Sequence, residues 1–243
     1  MQRYFIYFGY DGTAYHGWQI QPNGNSLQAE LQAALTTVLR HPTEVVGAGR
    51  TDAGVHARMM VAHFDEQTPI DGIQLAYRLN RLLPRDISVC KIVPVEQDRH
   101  ARFSAKWRTY HYYVHTTKNP FRRHYSCELH YALDFPLMNR AAAHLLTVDD
   151  FGAFCKSHTD AKTTLCHVVR AEWRQIDADT WYFAIKANRF LRNMVRAVVG
   201  TLIEVGRHRM TVEAFDAVVC RRRRSEAGES MPANALFLEE IEY

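Results

Sequence analysis

The chain has 243 residues, which allows one or two domains, and its 47% hydrophobic and 23% charged residues are typical of a globular protein with a sizeable core. No apolar run approaches the roughly 18 residues that a membrane-spanning helix needs, so we expect no membrane association. The net charge is +4, and 24 of the 30 basic residues are arginine. Guanidinium groups bind phosphate through paired hydrogen bonds and stack on bases, so the arginine excess indicates either a nucleic-acid partner or a codon bias of the genome.

The five cysteines are irregularly spaced and include no CxxC pair, as expected for reduced thiols in the cytoplasm rather than for a disulfide framework. The first residues run directly into strand-like sequence, without a charged stretch followed by a small-residue cleavage site. We therefore expect no secretory signal and a cytoplasmic location.

The first hundred residues predict strands that alternate with helices, the pattern of an α+β domain. Aromatic and β-branched runs predict strands over 3–10, 45–46, 59–64 and 87–95. A helix is expected over 27–40, because its apolar residues recur with the helical period and Asn25 or Ser26 can cap its start. A second helix is expected over 73–83 from the apolar stripe of Ile73, Ala76, Leu79 and Leu83, and Pro84 would end it.

The second half repeats this alternation. We predict strands over 109–115, 168–176, 181–187 and 235–243, and helices over 137–146, 190–205 and 211–220. Residues 177–180 are expected to connect a β-hairpin, and Gly206 is expected to end the 190–205 helix in a left-handed conformation. The halves meet near residues 102–107, and we place the boundary between an N-terminal domain, 1–103, and a C-terminal domain, 104–243.

Residues 47–57 interrupt the periodicity between two apolar strands with the sequence Gly-Ala-Gly-Arg-Thr-Asp-Ala-Gly-Val-His-Ala. The three glycines permit backbone angles that other residues avoid, and they allow another segment to approach closely. Arg50, Thr51 and Asp52 lie between them. A carboxylate held between apolar strands could be a reactive acid that is partly shielded from water, or Asp52 could form an ordinary Asx turn. These residues alone leave both interpretations open.

Residues 49–57 resemble the signature of the tRNA pseudouridine synthase A family. Three further segments resemble motifs of this family in the same order: 10–19 near the N-terminus, 100–110 in the centre and 190–200 in the C-terminal half. The resemblance spans essentially the whole chain. It implies a pseudouridine synthase fold, in which two ferredoxin-like α/β domains share a joined, mainly antiparallel central sheet and a basic cleft. It also implies a homodimer that binds the anticodon arm of tRNA.

The resemblance implies roles for five residues. Asp52 matches the family's catalytic aspartate, and Tyr110 matches the tyrosine that contacts the target base. Arg196 matches the basic residue that pairs with the aspartate, and Arg50 matches an arginine near the reacting nucleotide. Leu238 falls in the final strand motif, which helps to wall the base pocket.

The implied reaction converts uridine to pseudouridine at tRNA positions 38, 39 and 40. The bond from uracil N1 to ribose C1′ breaks, and C5 then bonds to C1′. Because no electrons or atoms are lost, we expect no cofactor and no metal. An ionised aspartate could act as a nucleophile or as a base, and a tyrosine ring could stack on the everted base. The alternative is a non-catalytic RNA-binding protein that retains the fold.

Several basic clusters could hold phosphates beside the target nucleotide. One interleaves cations with aromatic residues over 99–110. A second consists of Arg189, Arg192 and Arg196, which share a helix face if the helix includes Arg189. The arginines of the run 221–224 could bind RNA. Alternatively, they could stabilise the end of the preceding helix, because positive charge is favourable at a helix C-terminus. Two features depart from the family pattern: Ala235 stands in place of a glycine, and the segment 154–166 fits poorly.

Overall fold

The computed structural model describes residues 1–156 and 162–243. Residues 157–161, inside the segment 154–166 that departs from the family pattern, lie outside the described residues. The chain divides into two compact units. The first unit comprises residues 1–106 and 237–243, and the second comprises residues 107–236.

Strands and helices alternate along the chain, so the expected α+β class is confirmed. The strands are β1 (Gln2–Tyr10), β2 (Val46–Gly47), β3 (His56–Glu66), β4 (Ile87–Val95), β5 (Trp107–His115), β6 (Cys127–Glu128), β7 (Val168–Gln175), β8 (Thr180–Ala187) and β9 (Leu236–Glu242). The α-helices are α1 (Leu27–Leu39), α2 (Gly72–Leu82), α3 (Phe135–His144), α4 (Met194–Gly206) and α5 (Val212–Arg221). None of the helices in the described part of the chain has the length and apolar character needed to cross a lipid bilayer.

The sheet of the first unit is mainly antiparallel. β1 lies between β3 and β4 and is antiparallel to both, and β2 adds a short antiparallel pairing to β3. β9 pairs with β3 in parallel, with His56 opposite Phe237 and Ala57 opposite Leu238. The last strand of the chain therefore lies beside the start of β3, directly after the loop that carries Asp52.

The helix α1 follows the apolar periodicity of its sequence. Its five buried residues, Leu27, Leu31, Ala34, Leu35 and Val38, are the apolar residues whose helical spacing predicted the helix. Of the two predicted caps, Ser26 is the one used, because its side chain accepts a hydrogen bond from the Ala29 N–H at 3.3 Å.

The buried face of α2 differs from the predicted stripe. The predicted helix is present, and Leu75, Ala76 and Leu79 are buried, whereas Ile73 is 80% exposed. Gly72 explains the difference, since a Cβ atom at this position would lie 2.2 Å from the Ile92 carbonyl oxygen of β4. The glycine lets the start of the helix approach the strand closely, and the next residue then points to solvent.

The strands of the second unit are also mainly antiparallel. β8 lies between β5 and β7 and is antiparallel to both, and β6 pairs with β5 in parallel. The predicted hairpin is confirmed, since β7 and β8 flank residues 176–179. α3 contacts α4, α5 and β7, and α4 also contacts β5.

The helix α4 begins later than the apolar stripe suggested. It starts at Met194, after Asn193 in the left-handed conformation with a φ of 66°. Arg189 and Arg192 precede the helix, so the condition under which they would share a helix face with Arg196 is not met. Phe190 fits the helical spacing, but its ring contacts the ring of Tyr110 instead.

The end of α4 also differs from the prediction. Gly206 is helical, and the left-handed residue is His208, with a φ of 56°. The glycine serves packing instead, because a Cβ atom there would lie 2.4 Å from the Met138 sulfur on α3.

Candidate active site

The loop between β2 and β3, residues 48–55, carries Arg50 and Asp52 and is called the aspartate loop below. At its start, the Ala48 N–H donates to the Val61 carbonyl at 2.8 Å. At its end, the Val55 N–H donates to the Asp52 carbonyl at 3.1 Å, which closes a tight turn. Gly54 adopts a φ of 76° within this turn, a value that suits glycine.

The supporting segment, residues 10–18, holds the aspartate loop by its backbone. The Trp18 N–H donates to the Thr51 carbonyl at 3.2 Å, and the Gly54 N–H donates to the Tyr15 carbonyl at 3.4 Å. These bonds lie on both sides of Asp52 in the sequence. The position of the carboxylate is therefore set by the backbone of a separate, N-terminal segment.

Two glycines allow this close backbone approach. A Cβ atom on Gly12 would lie 2.0 Å from the Val55 carbonyl oxygen, and one on Gly17 would lie 2.4 Å from the Thr51 carbonyl oxygen. Gly17 also has a φ of +93°. By contrast, a Cβ atom on Gly49 would have no neighbour within 4 Å. Gly12 and Gly17 thus allow the backbone of the supporting segment to pack directly against the aspartate loop.

Buried polar side chains also hold the aspartate loop in place. The Thr51 hydroxyl hydrogen-bonds the Tyr10 hydroxyl at 2.8 Å, away from solvent. His56 is 1% exposed, and its Nδ1 accepts from the Gly12 N–H at 3.0 Å. Its ring stacks on Phe237 of β9, with the centroids 4.5 Å apart. The supporting role of these residues was not predicted from the sequence, although His56 lies in the signature of residues 49–57 and Tyr10 and Gly12 lie in the N-terminal motif.

Two groups lie within hydrogen-bond distance of His56 Nδ1, the Gly12 N–H and the Asp11 carboxylate. The Asp11 carboxylate also lies 3.0 Å from Nδ1, but a backbone N–H can only donate, so Nδ1 must accept from Gly12. The same Asp11 oxygen accepts from the N–H and the hydroxyl of Thr13, at 2.9 and 2.6 Å. The Asp11 carboxylate is thus held by Thr13 and lies beside His56.

The two charged residues of the loop differ in environment. Asp52 is half-buried, as expected for an acid that is presented but partly shielded. Arg50 is exposed, and it makes no hydrogen bond or ion pair within residues 1–156 and 162–243. Its guanidinium thus keeps its hydrogen-bonding capacity for a ligand.

Leu238 and Ala235 lie at the start of β9. Leu238 is 2% exposed and pairs with Ala57 of β3. Ala235 ends a short 3₁₀ turn and is fully buried. Its φ is outside the left-handed region, so alanine adopts this backbone without strain.

The first part of the central motif, residues 100–104, forms a turn in the first unit. The Ala101 N–H donates to His63 Nδ1 at 3.1 Å, and the Tyr243 hydroxyl donates to the Ala101 carbonyl at 2.8 Å. Burial lowers the pKa of His63 to about 4, and the positive charges of Arg3 and His100 act in the same direction. A neutral His63 can accept the Ala101 hydrogen bond.

Tyr110 and Arg196 lie in the second unit. Tyr110 is on β5 opposite Ile185, is 9% exposed, and meets the Phe190 ring edge to face at 4.9 Å. Arg196 is in the first turn of α4, where its Nε donates to the Met231 carbonyl at 2.5 Å. The structure thus places Arg50, Asp52 and Leu238 in the first unit, and Tyr110 and Arg196 in the second.

Comparison with known proteins gives full-length matches. A family model described as tRNA pseudouridine synthase matches residues 6–104 and 141–243. The tRNA pseudouridine synthase A of Bacteroides fragilis is 58% identical over 100% of this chain and 97% of its own. Those of Porphyromonas gingivalis and Bacillus pumilus are 49% and 37% identical, and the matches cover 100% and 96% of this chain and 98% and 96% of theirs.

The matches cover the site residues to different degrees. Arg50, Asp52, Arg196 and Leu238 fall inside the two stretches that the family model matches. Tyr110 falls between these stretches, in a region that only the full-length relatives cover.

Proposed function

The chain belongs to the tRNA pseudouridine synthase family, and from this we propose that it isomerises uridine to pseudouridine at positions 38, 39 and 40 of the tRNA anticodon stem and loop. One observation carries the proposal. The carboxylate of Asp52 is half-buried on a loop that a second backbone segment holds in place through two glycines, within a stretch that matches the family model.

In the proposed reaction, Asp52 acts on the nucleotide as a nucleophile or as a base. The uracil N1–C1′ bond breaks, the base turns, and C5 bonds to C1′ while the proton on C5 is released and N1 gains one. The atoms and electrons therefore balance within the substrate and water. The fixed backbone around Asp52 supports this role, because a positioned group contributes to the rate by removing the entropy cost of alignment.

The other site residues are proposed to bind the everted nucleotide. Tyr110 would contact the base, and stacking of a base on an aromatic ring contributes on the order of 1–3 kcal/mol. Arg196 would pair with the Asp52 carboxylate and keep it ionised, because an opposite charge favours the charged form. Leu238 would form part of the apolar wall of the base pocket. Arg50 would contact the RNA beside the reacting nucleotide, which its exposure and its lack of a partner in the described part of the chain support.

The remaining features of the family are proposed for this chain as well. These are two ferredoxin-like domains, 1–103 with the aspartate loop and 104–243 with Tyr110 and Arg196, a joined sheet with a basic cleft, a homodimer and a cytoplasmic location. Everting a paired base costs a few kcal/mol of stacking, and arginines on the flanking phosphates would offset this cost.

The proposal is tested by incubating the wild-type protein with tRNA that carries tritium at uracil C5. We expect release of tritium to water, and subsequent mapping should place pseudouridine at positions 38, 39 and 40. A protein that binds tRNA but releases no tritium would contradict the proposal and favour the non-catalytic RNA-binding alternative. Modification at other positions would leave the activity but overturn the assigned target.

A further inference from the structure

The arginine run 221–224 divides into three paired residues and one that turns inward. Arg221 and Arg223 both lie beside Glu226, at 3.4 and 3.7 Å, and Arg222 lies 3.0 Å from Asp150. These three are exposed. Arg224 is half-buried and has no acidic partner in the part of the chain that the structure describes. Its role therefore differs from that of its three neighbours.

Arg224 binds the segment 227–231, called the strap below. Its Nη1 donates to the Gly228 carbonyl at 3.0 Å, and its Nη2 donates to the Ser230 hydroxyl at 2.9 Å. A guanidinium is suited to this task, because its planar donors can bind two acceptors at fixed angles. Arg224 thus fixes the middle of the strap at two points.

The strap lies directly on the backbone of α4. The Gly228 N–H donates to the Thr201 hydroxyl at 2.9 Å. A Cβ atom on Gly200 would lie 1.8 Å from the Glu229 carbonyl oxygen, so the two backbones approach closely. The strap therefore has little freedom to shift along this part of the helix while Arg224 holds it.

The far end of the strap binds Arg196 twice. The Met231 N–H donates to the Arg196 carbonyl at 3.1 Å, and the Arg196 Nε donates to the Met231 carbonyl at 2.5 Å. Ser230, the preceding residue, also accepts from the Asn193 side chain at 2.5 Å, where α4 begins. The orientation of the Arg196 guanidinium is thus set by the same segment that Arg224 holds.

We propose that Arg224 is a positioning residue for Arg196, and this inference rests on the proposed function. Arg224 fixes Gly228 and Ser230, Ser230 precedes Met231, and the Met231 carbonyl orients the guanidinium. Loss of Arg224 lets the Met231 carbonyl move, so Arg196 no longer presents its charge in one geometry. Such loss of alignment lowers the rate of the chemical step more than it lowers the affinity for tRNA.

The test compares Arg224→Ala with the matched control Arg223→Ala in tritium release from tRNA. We expect Arg224→Ala to lower kcat about tenfold or more and to change KM by less than about threefold. Arg223→Ala should leave kcat unchanged, because the Arg223 guanidinium pairs with Glu226 and not with the strap. A kcat for Arg224→Ala equal to that of the wild type would overturn the inference.

A double-mutant cycle separates positioning from a general loss of structure. If Arg224 acts through Arg196, the variant Arg196→Ala/Arg224→Ala should be no slower than Arg196→Ala alone. Losses that multiply would overturn the inference. Ser230→Ala provides a milder second variant should Arg224→Ala fold poorly, and it should lower kcat without adding to the Arg196→Ala loss. An inactive wild-type protein would overturn the proposed function itself, whereas an active wild type with an unaffected Arg224→Ala would overturn only this inference.

Discussion

Gly17 has a φ of +93°, and a Cβ atom at this position would lie 2.4 Å from the Thr51 carbonyl oxygen and 3.1 Å from the Asp52 carbonyl carbon. Gly17→Ala should therefore strain the backbone and displace the aspartate loop. We expect a loss of stability of about 1–3 kcal/mol and a drop in activity of about tenfold or more. Urea unfolding and tritium release measure the two effects.

Gly49→Ala is the matched control for this prediction. Gly49 lies in the same loop, but a Cβ atom there would meet nothing within 4 Å, and its φ is outside the left-handed region. This variant should keep its stability to within about 0.5 kcal/mol. Equal effects of the two substitutions would contradict the view that the supporting segment seats the loop by backbone contact.

His63 makes stability depend on pH. Its pKa is lowered to about 4 in the folded protein, whereas an exposed histidine has a pKa of about 6.5. The unfolded chain thus binds the proton first as the pH falls, and stability decreases between pH 6.5 and 4. His63→Gln can still accept a hydrogen bond from the Ala101 N–H but binds no proton.

We therefore expect the free energy of unfolding of His63→Gln to fall less steeply between pH 6.5 and 4 than that of the wild type. Urea titrations at several pH values measure this slope. The difference at the acid end should approach about 2–3 kcal/mol, since each unit of pKa shift corresponds to about 1.4 kcal/mol. Parallel curves would show that burial of His63 does not control its protonation.

At the scale of single elements, the contact between the strap and α4 predicts that Gly200→Ala destabilises the protein, although helix propensity alone favours alanine. Alanine is about 1 kcal/mol more favourable than glycine in a helix interior. At Gly200, however, a Cβ atom would lie 1.8 Å from the Glu229 carbonyl oxygen. Gly200→Ala should therefore lower the free energy of unfolding by about 1–3 kcal/mol. Urea unfolding measures this change. A higher free energy of unfolding for Gly200→Ala would show that the strap moves away from the added methyl group at little cost.

Elements with a regular apolar period could be predicted from the sequence, and elements set by close contact could not. The stripe of α1 and the β7–β8 hairpin follow from local pattern alone. The exposure of Ile73 could not be predicted from its spacing, because the packing of Gly72 against β4 depends on a residue twenty positions away. The start of α4 was misplaced because Phe190 has helical spacing but packs on Tyr110.

The candidate site shows the same division. The signature of residues 49–57 identifies Asp52 and Arg50, because the order of residue types is specific. The support of that loop was not predicted, since the contacts of Gly12, Gly17 and Phe237 with it join distant parts of the sequence. The ion pair of Arg222 with Asp150 was not predicted either, because Asp150 lies more than seventy residues earlier in the sequence.

At the scale of the whole molecule, the proposed homodimer gives a direct prediction. The chain has a mass of 28.1 kDa, so light scattering coupled to size-exclusion chromatography should give twice this value. Binding to tRNA should weaken as salt rises, because the arginines that contact phosphates release counterions. A mass equal to that of one chain, at the protein concentrations used for activity, would contradict the dimer.

The claim on which the catalytic account depends is that the carboxylate of Asp52 carries out the chemistry. Asp52→Asn keeps the shape of the side chain and removes its charge, and Asp98→Asn is a matched control at an exposed carboxylate. Single-turnover tritium release from C5-labelled tRNA should fall by about a thousandfold or more for Asp52→Asn and remain unchanged for Asp98→Asn, with tRNA binding retained by both. Release by Asp52→Asn at the wild-type rate would contradict the account.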